Sequence, residues 1–387
     1  MQTTYVDVHI IQTVPPANLN RDDTGSPKSA RFGGVRRARV SSQAWKRAAR
    51  LGFSEHLDPA QLAVRTRRLV ELLTERFLSA DLSDEHSARL ARAVLASLGL
   101  KTQSDESAIS QYLLFLGKAQ IDAIVDSVLT LRDEIEPALE QGQEKDLAES
   151  LKQLDLLALM GGPQPADVAL FGRMVADVPA INIDAAAQVA HAISTHPVEL
   201  EFDYFTAVDD LNPAEETGAG MIGTVEFNSA TLYRYATVNP YLLAENLGQT
   251  EAVVPTLRAF LHSWVKSIPS GHQTTFAHRT LPEFVLVTVR DDQPVNLVGA
   301  FEDPVRGNGQ RGIAAASVEK LCEALDGVVA AYGHPPVLVA ATALPQVREA
   351  VPANDGSVIS RGALMPFDDV VEAVVSNVKA LMRGSGT

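Results

Sequence analysis

The chain has 387 residues, 46% of them hydrophobic and 21% charged, which is enough apolar material for at least one packed core and excludes wholesale disorder. A single cysteine, Cys322, excludes an intramolecular disulfide and a multi-cysteine zinc site, as is typical of a protein in a reducing cytoplasm. The N-terminus has no signal-peptide pattern, and no apolar run is long enough to span a bilayer. We therefore expect a cytoplasmic protein that does not enter a membrane.

The charges are distributed unevenly along the chain. The net charge of −15, taken alone, argues against nucleic-acid binding. Residues 21–50, however, contain nine basic and two acidic residues, whereas the rest of the chain contains 24 basic and 46 acidic residues. A segment of charge +7 on a body of charge −22 indicates a local surface that binds anions.

In the first half of the chain, residues 3–13 alternate aliphatic with other side chains and predict a strand that stops at the Pro pair beginning at Pro15. A loop containing Gly, Pro and Asn follows, and a short helix is predicted to open at Ser41. From residue 59 to about 151 the apolar residues recur at helical spacing almost throughout, which predicts a helical insertion.

In the second half, residues 168–175 predict a short strand and residues 184–194 a helix. Residues 199–238 hold six aromatic side chains around a glycine-rich acidic loop, which predicts a long β-hairpin. Two apolar runs, 284–289 and 336–344, predict buried strands. Strands and helices that recur around a helical insertion favour an α+β fold over a doubly wound sheet.

The helix at Ser41 is the most informative element of the basic segment. At 100° per residue, Trp45, Ala48 and Ala49 share one face, and the opposite face holds Gln43, Lys46, Arg47 and Arg50. Like charges at positions i and i+4 destabilise an isolated helix, so an anion is a natural partner for this face. The preceding row of Arg36, Arg37 and Arg39 adds to it, and phosphate contacts supply most non-specific affinity for nucleic acids.

Motifs for catalysis are weak. Residues 307–312 match G-x-G-x-x-G, but the glycines do not lie directly between a strand and a helix as a dinucleotide site requires. His191 and His196 are five residues apart, which does not place them on one helical face as metal ligands. We therefore expect no catalytic centre, no bound metal and no cofactor.

Two enzymatic alternatives remain open at this point. The adjacent carboxylates Asp22 and Asp23, beside Arg21, could hold Mg²⁺ against an RNA phosphate, which would make the chain a metal-dependent ribonuclease. A dinucleotide-binding enzyme could instead be built on Gly307, Gly309 and Gly312. The RFGG string, which contains Phe32, is not followed by the aromatic strand sequence of an RNA-recognition motif. We therefore expect the protein to bind the phosphate backbone of RNA rather than to stack its bases on strand aromatics.

Several strings, in this order, resemble the CasC family, the backbone subunit of type I-E CRISPR Cascade. The main one runs from Leu19 to Arg50 and contains LNRDD, FGG, RR and SSQ. Further matches are FGRM at 171–174, AHAISTH at 190–196, FTAVDDL at 205–211, IGT at 222–224 and YRYA at 233–236. The resemblance covers the full length of the chain.

The resemblance implies a modified RNA-recognition-motif (ferredoxin-like) palm formed by residues 1–50, 155–198 and 239–387. It implies a helical finger domain at 51–154 and a β-hairpin thumb at 199–238. It further implies a non-enzymatic protein whose copies polymerise along CRISPR RNA and present the guide for pairing with target DNA. Its expected partners are CRISPR RNA, target DNA through the guide, further copies of itself and other Cascade subunits.

The resemblance also implies roles for individual residues. Together with the basic row described above, the RNA-contacting candidates are Asn20, Arg21, Lys28, Arg36, Arg37, Ser41, Gln43, Lys46, Arg47, Arg50 and Gln273. The family commonly has Lys before this last glutamine, where this chain has His272. The candidates for a thumb wedge between nucleotides are Met174, Phe205, Thr206 and Ile222.

Overall fold

The computed structural model describes residues 3–102, 109–111, 113–207, 221–307, 311–353 and 356–384. In these ranges the strands are β1 (Tyr5–Ala17), β2 (Ser29–Phe32), β3 (Val35–Val40), β4 (Ala63–Thr66), β5 (Leu114–Gly117), β6 (Ala187–Val189), β7 (Ala192–Ser194), β8 (Glu201–Ala207), β9 (Met221–Val238), β10 (Phe284–Arg290) and β11 (Leu338–Ala343). The helices are α1 (Ser42–Gly52), α2 (Leu69–Leu78), α3 (Asp84–Ser97), α4 (Lys118–Leu129), α5 (Arg132–Glu140), α6 (Glu144–Leu151), α7 (Leu156–Gly161), α8 (Ala166–Phe171), α9 (Pro240–Leu247), α10 (Val253–Lys266), α11 (Gln273–Phe276), α12 (Ile313–Tyr332), α13 (Pro345–Arg348) and α14 (Phe367–Gly384).

The chain forms two compact units, and the fold is mixed α+β, as predicted. The first, here called the sheet unit, comprises Met1–Gly52, Gln188–Pro240 and Leu257–Thr387. The second, here called the helical unit, comprises Phe53–Ala187 and Tyr241–Thr256.

The sheet unit is built on an antiparallel sheet with the order β11-β10-β1-β9-β7-β3-β2, and β6 and β8 also pair with β9. Strand β1 is central, since Val8 pairs with Ala236 of β9 on one side and with Val287 of β10 on the other. This order places β2 and β3 at the opposite edge of the sheet from β11.

The two faces of the sheet are covered by different helices. Tyr233 and Tyr235 of β9 belong to a buried cluster that includes Val318 and Leu321 of α12. Arg234, between them in sequence, points to the opposite face because side chains alternate along a strand. There it meets α1 and α10, and this second face therefore supports the basic helix.

The helical unit has its own core, in which buried side chains of α2 to α7 pack together with residues 175–181. A two-stranded sheet of β4 and β5 lies in the same unit. Residues 155–187 belong to this unit, whereas the family resemblance implies that they form part of the palm. In the ranges described, no helix is long and apolar enough to cross a membrane.

The structure confirms the predicted strands at β1, β10 and β11, the helix at Ser42 and the predominantly helical segment. It also confirms the two paired strands of the hairpin, β8 and β9, whereas the glycine-rich loop between them lies outside the described residues. Two predictions were wrong. Residues 168–175 begin as helix α8 rather than forming a strand, and residues 184–194 form strands β6 and β7 rather than a helix. The alanine-rich pattern of 184–194 suits a helix, but pairing with β3 and β9 overrides local propensity.

Strand β1 also runs through the prolines that were expected to end it. The register with β9 shifts between Val14 and Ala17, so Pro15 and Pro16 lie at an irregularity. Proline is tolerated at such a bulge because no ladder N–H is needed there.

Candidate nucleic-acid interface

The loop before β2 is hydrogen-bonded to the N-terminus of α1. The side-chain Oδ1 of Asn20 accepts a hydrogen bond from the backbone N–H of Ser41 at 2.9 Å. The backbone O of Asn20 accepts from the N–H of Lys28 at 2.9 Å. Asn18 donates through Nδ2 to the carbonyls of Gly25 and Glu226, at 3.0 and 2.9 Å. The basic loop is thereby closed against both α1 and β9.

Helix α1 has the two faces that its sequence predicts. Trp45 and Ala49 are buried, whereas Gln43 and Arg47 are exposed and the remaining two cations of this face, Lys46 and Arg50, are partly exposed. Partial burial lowers the pKa of the Lys46 ammonium from its ordinary value. The polar face of α1 is therefore available to a ligand.

Ser41, predicted to contact RNA, also caps this helix. Its Oγ accepts a hydrogen bond from the N–H of Ala44 at 3.3 Å, and the residue is only 6% exposed. The hydroxyl stabilises the first turn in the manner of an N-cap. Ser41 thus positions α1 in addition to any contact it makes with a ligand.

Beneath α1 lies a buried arginine. Arg234 is fully buried, and its guanidinium carbon lies 3.8 Å from the ring centre of Trp45 and 4.8 Å from that of Trp264. It donates to Oε1 of Gln12 at 2.6 Å and to the backbone O of Trp264. Arg234 joins β9, α1 and α10 and so fixes the orientation of the basic helix.

The structure corrects the assignment of Arg37 to the RNA-contacting set. Arg37 is 0% exposed, and its guanidinium donates to the carbonyls of Phe32, Ser194, Phe301 and Glu302 at 2.7–3.2 Å. A buried guanidinium whose donors are occupied by backbone carbonyls does not reach a phosphate. Its role is to hold the β2–β3 hairpin in place.

The turn of that hairpin is also fixed by packing. Gly33 and Gly34 have φ values of +58° and +77°, a left-handed conformation that favours glycine. A Cβ on Gly33 would overlap the carbonyl oxygen of Glu302. The hairpin therefore presents its exposed arginines, Arg31 and Arg36, which pair directly across the two strands, from a rigid support.

Six solvent-accessible basic side chains of the segment 21–50 have no carboxylate oxygen within 4 Å in the described part of the chain: Arg21, Lys28, Arg31, Arg36, Arg39 and Arg47. Some surface cations elsewhere in the chain do form ion pairs, such as Arg76 with Asp122 at 2.7 Å. Adjacent cations without partners repel one another and favour a polyanionic ligand.

A loop around residue 271, distant in sequence from the basic segment, lies against this surface. Gly271 lies so close to Leu19 that an added Cβ would overlap the Leu19 carbonyl. The same loop exposes Gln273, the first residue of α11, after His272 in a left-handed conformation with φ +49°. Gln273 is thus carried by a loop packed against Leu19, the residue before Asn20, which the sequence pattern alone did not reveal.

The pair Asp22 and Asp23 lies in an exposed turn. The Oδ1 of Asp22 accepts from the backbone N–H of Thr24 at 2.9 Å, from its hydroxyl at 2.7 Å and from the N–H of Ser26 at 3.1 Å. These bonds, the Thr24 hydroxyl first, lower the pKa of the Asp22 carboxyl. In the described ranges no group of three or more His, Cys, Asp or Glu side chains could hold a metal ion. The geometry is that of an Asx turn.

The G-x-G-x-x-G match at residues 307–312 does not lie in the strand-to-helix turn of a dinucleotide-binding site. Gly312 precedes α12, but β10, the strand before it, is antiparallel to both of its neighbours. Gly309 lies outside the described residues. A dinucleotide site needs a parallel strand that leads directly into the helix, so this alternative has no support in the fold.

The wedge candidates come from both units. On β8, Phe205 is 39% exposed and pairs with Gly223, and Thr206 is exposed and pairs with Ile222, whose side chain lies outside the described part of the chain. A Cβ on Gly223 would overlap the Phe205 ring, so the ring covers the glycine.

Met174 belongs to the helical unit and is 86% exposed. The neighbouring Arg173 is buried and donates to the carbonyls of Ile181, Phe115 and Met160 at 2.7–3.2 Å. Burial lowers the pKa of Arg173 to about 10. The FGRM string thus anchors one side chain and presents the next one to solvent. The grouping of Met174 with the hairpin residues stays a prediction.

The comparisons with known proteins agree with these features. A family model described as CT1975-like protein matches residues 6–368. A solved chain from "CRISPR RNA-guided surveillance complex, pre-nicking" is 29% identical, with a TM-score of 0.82 over 96% of this chain and 99% of that chain.

A chain from another "CRISPR RNA-guided surveillance complex" is 26% identical, with a TM-score of 0.72 over the same shares of the two chains. A search of curated protein sequences finds no match. The family model covers nearly the whole chain, and the chain therefore belongs to the CT1975-like family of Cas proteins.

Proposed function

We propose that the chain is the repeating backbone subunit of a type I-E CRISPR Cascade complex and that it holds the guide RNA. The observation that carries the proposal is the cationic surface of α1 and the β2–β3 hairpin, formed by a segment of charge +7 in a chain of net charge −15. The similar solved chains come from RNA-guided complexes, which supports RNA as the anion.

The side chains on this surface suit the RNA backbone. Arginine and lysine contacts to phosphate supply affinity and fix orientation, but they carry no sequence information. Bases that the protein does not contact remain free to pair with target DNA. The target sequence is then recognised by base pairing with the guide rather than by the protein.

In this proposal the sheet unit is the RNA-recognition-motif-like palm and the helical unit is the finger domain. The hairpin of β8 and the outer part of β9 is the thumb, which reaches a neighbouring copy. Phe205, Thr206, Ile222 and Met174 then interrupt base stacking at intervals without reading base identity, since apolar surfaces accept any base. Other Cascade subunits complete the assembly.

We expect Arg47→Ala to weaken RNA binding about three- to tenfold and by the same factor for unrelated sequences, because one phosphate contact is lost per copy. The slope of log K against log salt should become shallower by about 0.7. Titration of two labelled single-stranded RNAs over a salt series measures both quantities.

The matched control is Lys379→Ala, which removes an exposed cation of α14 outside the basic segment. Its affinity and slope should equal those of the wild type. An Arg47 variant with an unchanged slope, or a loss that depends strongly on RNA sequence, contradicts backbone tracking.

The multi-copy arrangement predicts stepwise growth on RNA. When the full chain is mixed with single-stranded RNAs of increasing length, the mass of the complex should rise by one chain for each fixed increment of length. Mass photometry counts the copies. A single copy at every length contradicts the proposal of a repeating backbone.

We also propose that the chain is not a nuclease and that Asp22 and Asp23 are structural. The Asp22 carboxylate already accepts three hydrogen bonds within its own turn. The assembled complex, incubated with complementary RNA and Mg²⁺, is expected to leave that RNA intact, as is the double variant Asp22→Ala/Asp23→Ala. Cleavage by the wild type that disappears in the double variant establishes the ribonuclease alternative instead.

A further inference from the structure

Three side chains outside α1 converge at the edge of the sheet. Arg39 of β3 pairs with Ile193 of β7, which brings it beside His191 at the start of that strand. The Nη1 of Arg39 lies 3.2 Å from the Nδ1 of His191. The backbone N–H of Arg39 donates to the carbonyl of Lys28 at 2.9 Å, and Lys28 and Arg39 line the same small pocket.

The contact with Arg39 determines which nitrogen of His191 carries a proton. A guanidinium can only donate, so Nδ1 of His191 must accept, and a neutral imidazole then holds its proton on Nε2. Partial burial, followed by the charges of Arg39 and Lys28, lowers the pKa of His191 from its ordinary value. Near neutral pH the exposed ring is therefore an uncharged N–H donor.

The surroundings of this cluster favour an anionic ligand. The Nε of Arg39 donates to the carbonyl of Ser29 at 3.3 Å, which holds the guanidinium in place. In the part of the chain that the structure describes, neither Lys28 nor Arg39 has a carboxylate oxygen within 4 Å. Arg39 lies two residues before Ser41, so the cluster continues the basic surface of α1.

We propose that Lys28, Arg39 and His191 together bind a backbone phosphate of the guide RNA. Lys28 and Arg39 supply charge, and neutral His191 supplies a hydrogen bond from Nε2. A phosphate offers several acceptor oxygens and full negative charge, which matches two cations and a neutral donor. This inference rests on the proposed function, because its ligand is the RNA.

The competing explanation is purely structural. The contact between Arg39 and His191 also joins β3 to β7, and stabilising that junction could be its whole role. In that case variants would lower the denaturation midpoint and leave the RNA affinity of the folded protein unchanged. Affinity and stability must therefore be measured on the same variants.

The experiment titrates the full-length chain onto a fluorescently labelled single-stranded RNA over a salt series at neutral pH. Arg39→Gln is expected to weaken binding about tenfold and to flatten the log K against log salt slope by about 0.7. His191→Ala is expected to weaken binding about fivefold with an unchanged slope, since the lost donor is uncharged. His191→Gln should recover most of the affinity, because its amide can accept from Arg39 and still donate.

The matched control is His334→Ala, an exposed histidine that precedes β11 at the other edge of the sheet, and it should bind like the wild type. If Arg39→Gln and His191→Ala bind RNA normally while Arg47→Ala does not, the cluster is wrong and the proposed function stands. A slope change in His191→Ala overturns the neutral-donor role. If the wild-type chain does not bind RNA, the proposed function fails and the cluster with it.

Discussion

Replacing Arg234 with alanine is expected to lower the free energy of unfolding of the sheet unit by about 3–5 kcal/mol. The side chain is fully buried between Trp45 and Trp264, so its removal leaves a cavity. It also leaves Oε1 of Gln12 and the carbonyl of Trp264 without their donor. Unsatisfied buried acceptors add to the cost of the lost packing.

The chain contains two tryptophans, and both lie against Arg234, so tryptophan fluorescence in a urea titration reports this region directly. Arg234→Met should cost less than alanine, because it keeps most of the buried volume. Arg258→Ala, which removes a surface arginine paired with Glu372, should cost less than about 1 kcal/mol. An Arg234→Ala midpoint equal to that of the wild type contradicts the packing role.

Adjacent arginines of β3 are expected to behave in opposite ways. Arg37→Gln should lower the free energy of unfolding by about 3 kcal/mol, because the substitution removes a buried charged donor that bonds to four backbone carbonyls. Arg36→Gln should change stability by less than about 0.5 kcal/mol, since Arg36 is exposed.

The RNA affinities of these two variants complete the test. Arg36→Gln should weaken RNA binding by the folded protein. Arg37→Gln should weaken RNA binding only indirectly, to the extent that loss of its contacts displaces the β2–β3 hairpin. Chemical denaturation and RNA titration on the same preparations separate the two roles. Equal stability losses in both variants would show that the assignment of Arg37 as the structural member is wrong.

The periodic parts of the fold were predictable from the sequence. Burial of one face of a strand or helix requires apolar residues at a regular local spacing. That spacing is present in residues 3–13, in the apolar runs of β10 and β11 and in the two-faced pattern of α1. The basic segment could be identified from the sequence as a charge asymmetry, because the net charge of a segment can be counted without knowing its structure.

Other features depend on contacts between distant residues and could not be read locally. The row of arginines at 36–39 contains both buried and exposed members, and only the contacts of Arg37 with Ser194 and Phe301 show that it turns inward. The same holds for His191, which a helical prediction separated from Arg39. Packing of Gly271 against Leu19 is likewise a tertiary contact that no sequence spacing encodes.

Ultraviolet cross-linking of the full-length chain to guide RNA, followed by mass spectrometry of the linked peptides, tests the central claim most directly. We expect the cross-links to concentrate in residues 19–50, in the loop at 268–276 and at the β8–β9 hairpin, with the same pattern for guides of unrelated sequence. Cross-links confined to the acidic helices of the helical unit, or a pattern that changes with guide sequence, would contradict an RNA backbone held on the basic surface.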